Sequence, residues 1–138
     1  MPAVAMLHEV DPKQAILDRV GDLSGVEIYG SKILIAIYQR PEKTKSGIIL
    51  TDNTRVEDIH QGKVGLVIKM GPFCYTDDEG NKFRDIKVGD WVVFRPSDGW
   101  RLTLNTLQRS VSKEDTVDCR LLSDGNVDIT VENPDYVY

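Results

Sequence analysis

The chain has 138 residues, with 17 Lys and Arg against 22 Asp and Glu, for a formal net charge of −5. That length predicts one domain with a core large enough to need no staples. The basic residues lie singly among acids, which excludes a phosphate-binding surface and so nucleic acid; no stretch approaches the ~18 consecutive apolar residues of a membrane helix.

Residues 1–10 are weakly apolar without periodicity and read as an arm. The opening MPAVAMLHEVDPKQ has neither the basic start nor the apolar run of a secretory signal. VDPKQAILDRVGDLSG predicts a helix over residues 12–20, with Asp11 at the N-cap, Pro12 at the first helical position and Gly21 as the stop. Everything after Gly25 reads as β-structure. KILIAIYQRP predicts a strand over 32–38, closed by Pro41. KVGLVIKMGP predicts another over 63–69, stopped by Gly71-Pro72. Phe73, Cys74 and Tyr75 lead into a hairpin with its tip at Asp78-Glu79-Gly80-Asn81. A Gly89-Asp90 turn precedes a buried strand over 91–94, and an Asp98-Gly99 turn precedes one over 100–104. The segment 107–118 is polar and of undefined form. CRLLSDGNVDITVENPDYVY predicts two short strands around an Asp124-Gly125 turn. Strands at this spacing, with turn signals between them, suggest a sandwich or barrel.

The chain shows no catalytic constellation. His8 and His60 are its only histidines, and Glu57, Asp58 and His60, close together in a polar loop, read as solvated surface rather than as the three or four converging ligands of a zinc site. Asp77-Asp78 sits at a hairpin tip, the serines lack a nucleophile elbow, and the glycines form no phosphate cradle. Cys74 and Cys119 make neither a metal spacing nor a disulfide framework, and are expected as reduced, partly buried thiols in a soluble, reducing compartment. The expectation is no enzyme, no metal and no cofactor.

One stretch resists this bland reading. PEKTKSGIILTDNTRVEDIHQ, residues 41–61, places Ile48-Ile49-Leu50 after Gly47 inside a charged, hydroxylated run. The triplet alone reads as a short core strand. The flanks instead have the composition of a mobile segment, in which an apolar triplet would be an association site.

KTKSGIILT, QGKVGLVIKMG and IKVGDWVVF, in this order and spacing, resemble the GroES-type co-chaperonins. Asp98-Gly99-Trp100 resembles that family's aromatic-bearing turn, and VDITV its closing strand. The resemblance covers about residues 32–138. It implies a small irregular β-barrel (32–138) behind an N-terminal extension (1–31), assembled as a homo-oligomer, a heptamer in the family, in the cytoplasm. It further implies a mobile loop over about 41–61, in which Gly47 gives the bend and Ile48, Ile49 and Leu50 dock on a GroEL-type, ATP-driven chaperonin ring. The hairpin over 73–83 corresponds to the roof of the family's dome.

Three features depart from the family: the thirty or so residues before the first strand, the apparent insertion at 107–118, and the ending ENPDYVY. A divergent, phage-encoded relative would carry such additions. They raise an alternative of another class, a virion protein that decorates or cements a capsid by gripping the major capsid protein.

Overall fold

The strand Lys32–Ile37 (β1) is buried at every position but its first. Side chains alternate across a strand, so continuous burial requires cover on both faces. Ile33, Ile35 and Ile37 point to one apolar cluster, with Val67, Val92 and Leu122. Leu34, Ala36 and Tyr38 point to another, with Leu66, Ile68, Trp91 and Cys119. The unbroken apolar run ILIAIY is the sequence signature of that position.

These relations come from a computed structural model, which describes residues 11–39, 63–106 and 116–137. A short helix, Pro12–Val20 (α1), precedes β1. Then follow Val64–Met70 (β2), Trp91–Val93 (β3), Trp100–Leu104 (β4), Val117–Ser123 (β5) and Ile129–Val131 (β6). All pairings are antiparallel, in the order β4-β5-β1-β2-β3-β6. The all-β expectation holds, with one short helix where the sequence places it. Within the described residues the irregular β fold is a single ladder, with β1 and β2 at its centre and β4 and β6 at its ends.

Each face has its own cover. On the first, Cys74, Tyr75, Ile86, Phe94 and Val127 close over β1. On the second lie Ile16 and Val20 of α1, then Leu23, Val26 and Ile28, with Val137 from the other end of the chain. The helix rests against β2 and β5, and Lys69 Nζ donates to Leu23 O at 2.7 Å. Pro12 occupies the first turn of α1, and the Gly21 N–H (φ 65°) donates to Leu17 O at 3.0 Å, ending the helix as expected. Asp11 stands at the N-cap position, but its side chain makes no cap hydrogen bond; its main-chain carbonyl accepts from Ala15 N at 3.0 Å instead.

The turn motifs act as stitches. Gly89 N donates to Val67 O at 2.8 Å and Val67 N to Asp90 O at 2.9 Å, while Asp90 Oδ2 accepts from Lys87 N at 3.1 Å. The register of β1 on β2 slips between Leu34 and Ile35, a bulge beside this stitch. In the next turn, Asp98 is buried and its carboxylate accepts from Arg95 N at 3.2 Å. Arg120, also buried, donates to Asp98 O at 3.1 Å and lies 5.3 Å over the Phe94 ring.

The two strands expected around Asp124-Gly125 are present as β5 and β6, with a 3-10 turn at Asp124–Asn126 between them; they are not paired with each other. The turn is tied elsewhere: Asp124 N donates to Ser31 O at 2.9 Å and Asp124 Oδ2 accepts from Tyr75 N at 2.9 Å. The chain therefore crosses to the far edge, where β6 meets β3. In the polar segment 107–118, Val117 and Asp118 belong to β5, paired with Leu104 and Thr103; residues 107–115 lie outside the described residues.

Gly99 and Gly80 separate two kinds of glycine requirement. Both have positive φ, 69° and 85°, but a Cβ on Gly99 would fall 2.2 Å from Leu121 O, whereas Gly80 has nothing within 4 Å. Gly80→Ala should cost about 1 kcal/mol from the left-handed backbone alone. Gly99→Ala should cost about 2–4 kcal/mol, since an overpacking cost is added. Urea unfolding of the two variants gives the comparison.

Candidate partner-binding site

The expected docking residues Gly47, Ile48, Ile49 and Leu50 lie between residues 40 and 62, outside the described residues, as do Glu57, Asp58 and His60. What the structure shows is where that connection begins and ends. Its two roots are neighbours. Tyr38 N donates to Val64 O at 3.0 Å, and Phe94 N donates to Lys63 O at 2.9 Å. The chain thus leaves β1 and re-enters β2 through adjacent, hydrogen-bonded positions at one end of the central strand pair.

The outgoing root is held by its side chain as well. Tyr38 is buried, its ring edge-on to Trp91 at 5.6 Å between centroids and 74° between planes. Its hydroxyl donates to Asp135 Oδ1. Asp135 belongs to a second 3-10 turn, Pro134–Tyr136, capped by Asn133, whose side-chain oxygen accepts from Asp135 N at 2.9 Å. Sequence reasoning passes over this arrangement. The signal was present in ENPDY, where Asn before Pro-Asp marks a side-chain-capped turn, but nothing local pairs it with a residue 97 positions away.

The segment after β2 folds into the expected hairpin. Thr76 bridges Lys82, and Asp77 Oδ1 accepts from Glu79 N at 3.0 Å and Asn81 N at 2.8 Å, closing the tip. Phe73 and Phe83 flank it, 65% and 61% exposed, enough for both rings to meet a partner. Tyr75 between them takes φ 56°, unusual for a side chain of that size. Its ring packs edge-on to Phe83 at 6.1 Å, with the Arg84 guanidinium 5.9 Å from its centroid. Tyr75 Oη is buried and meets no hydrogen-bond partner among the described residues.

Both thiols are free and buried. Cys74 Sγ approaches Lys32 O at 3.0 Å. Burial raises the Cys74 thiol above its ordinary range and pushes Cys119 up to about 12, so neither offers a thiolate near neutral pH. Among the described residues, no group of His, Cys, Asp or Glu is placed to hold a metal ion. No helix among them is long and apolar enough to cross a membrane.

The stitched turns, the ordered motifs and the rooted β1–β2 connection define a β domain of the GroES type. The chain belongs to the chaperonin 10 Kd subunit family, whose sequence profile matches residues 26–121. It is similar to the protein named Co-chaperonin GroES of Halothermothrix orenii, 32% identical over 74 residues, or 54% of this chain and 72% of that one. It is likewise similar to the Co-chaperonin GroES of Pelagibacter ubique, 34% identical over 86 residues, or 62% of this chain and 85% of that one. The matched span includes residues 47–50 and stops short of α1, β6 and the turn at Pro134–Tyr136.

Burial also sets the alkaline limit. Burial, then the nearby Asp124 carboxylate, pushes the Tyr75 phenol from 10.0 up to about 12, while Cys119 rises from 9.0 to about 12. Both folded values exceed the unfolded ones, so the unfolded chain loses its protons first. Their contribution to stability is whole below pH 9 and lost as pH rises toward about 12. Denaturant melts across this range should show the decline, and Cys119→Ala with Tyr75→Phe should flatten it. At neutral pH, Tyr75→Phe alone should be neutral or stabilising by up to about 1 kcal/mol, since it removes an unpaired buried hydroxyl.

Proposed function

We propose that the protein is a co-chaperonin that caps a GroEL-type, ATP-driven chaperonin ring through Ile48, Ile49 and Leu50, with Gly47 supplying the bend. The observation that carries this reading is the connection itself. An apolar triplet in a polar segment is strung between two pinned, adjacent roots, inside a span that matches the chaperonin 10 Kd subunit family. Relatives named for co-chaperonin activity support it.

The energetics suit a reversible cap. Burying an aliphatic side chain contributes about 1.5–3 kcal/mol, and ordering the surrounding segment costs on the order of 1 kcal/mol per residue fixed. A single copy binds weakly. A homo-oligomer, heptameric by resemblance, presents several copies at high effective concentration, and their sum holds until the ring changes shape. In this reading the hairpin with Phe73 and Phe83 forms the roof of the dome, and the assembly works in the cytoplasm, that of the host cell if the gene is a phage's.

Ile48→Ser, Ile49→Ser and Leu50→Ser together should abolish association with a purified GroEL-type ring and ADP, while leaving the melting temperature and the protein's own oligomer unchanged. Native mass spectrometry reads all species at once. Unfolding of the triple variant would put the triplet in the core. An oligomer that ignores the ring in its native form would point instead to the virion role, gripping a major capsid protein.

A further inference from the structure

The turn at Pro134–Tyr136 lies outside the family-matched span, yet it is fastened to the outgoing root of the β1–β2 connection. Among the described residues, Tyr38 extends the tie of β1 to β2, through its N–H to Val64 O. Its side chain reaches across the second face of the sheet, past Trp91, to the Asp135 carboxylate. The turn is itself anchored. Pro134 is buried, Val137 packs on the same apolar cluster as Tyr38 and Trp91, and Asn133 holds Asp135 N. A surface ornament would need none of this.

We infer that the Tyr38–Asp135 hydrogen bond is a clamp that sets the direction in which the β1–β2 connection leaves the domain, making Tyr38 and Asp135 positioning residues for ring capture. The inference rests on the reading of Ile48-Ile49-Leu50 as the docking segment. A fixed root lowers the ordering cost that each copy meets on binding. Because several copies bind together, a small gain per copy is multiplied across the assembly. The triplet supplies attraction in this arrangement, and the clamp supplies aim.

The test uses the full-length chain with Tyr38→Phe, Asp135→Ala and the double variant. Amide hydrogen exchange reads the clamp directly: the Tyr38 N–H should exchange about tenfold faster in each variant, while amides in the middle of β1 keep their protection. Association with a purified GroEL-type ring and ADP should weaken about tenfold or more, with the oligomer retained. The double variant should lose little beyond the worse single, since each single already removes the Tyr38–Asp135 bond. Unchanged exchange at Tyr38 overturns the clamp. Faster exchange with undiminished ring association, while the triple-serine variant loses the ring, overturns the positioning role and leaves the docking reading standing. Ring association that survives the triple-serine change sinks the docking reading, and the positioning role with it.

Discussion

The double burial of β1 is the constraint from which the rest of the molecule follows. A strand with apolar side chains on both faces must have two covers, and a chain of this size has few segments to give. The first cover is the excursion between β2 and β3, which returns Cys74, Tyr75 and Ile86 over Ile33 and Ile35. The second is assembled from both ends of the chain: α1 and the segment after it on one side, Val137 on the other. The helix is a poor candidate for independent stability, being short and lacking a side-chain cap bond. It persists because Val20 is buried on the sheet, so tertiary packing holds it.

The turns carry the second requirement, that the covers stay in register. Gly71 illustrates it: a Cβ there would lie 2.3 Å from Gly30 O, so the chain leaving β2 passes directly against the loop entering β1. The Val88-Gly89-Asp90 motif does the same on the other side of β2, giving and receiving main-chain hydrogen bonds at Val67. Family motifs of this kind are short because each is one backbone crossing.

Much of this was legible in the sequence, for physical reasons. β1 and β2 declare themselves through apolar runs ended by Pro or Gly, β4 through the Asp98-Gly99 turn before it, and α1 through Pro12 and Gly21. The pairing of β6 was not legible. Asp124-Gly125 has the composition of a hairpin turn, and only the long-range bonds from Asp124 to Ser31 and Tyr75 send the chain across the sheet instead. The partner of α1 was equally hidden, because Ala15, Ile16 and Val20 announce an apolar stripe without naming the surface that receives it. At the candidate site, flanking composition and resemblance single out Ile48, Ile49 and Leu50, which lie outside the described residues. The clamp between Tyr38 and Asp135 escaped both, since it joins a strand end to a distal turn through one side-chain bond.

The segments that depart from the family are therefore not appendages hung on a finished domain. Residues 12–20 and 134–137 fall outside the matched span, yet they meet on the second face of β1, around Tyr38, Trp91 and Leu66. That face is also the one from which Tyr38 leaves the sheet. Here Ile16, Val20 and Val137 help cover this face, and Asp135 bonds the tyrosine at the root of the β1–β2 connection. Segments outside the family-matched span thus help cover a core strand and, through one buried tyrosine, bond the root of the β1–β2 connection.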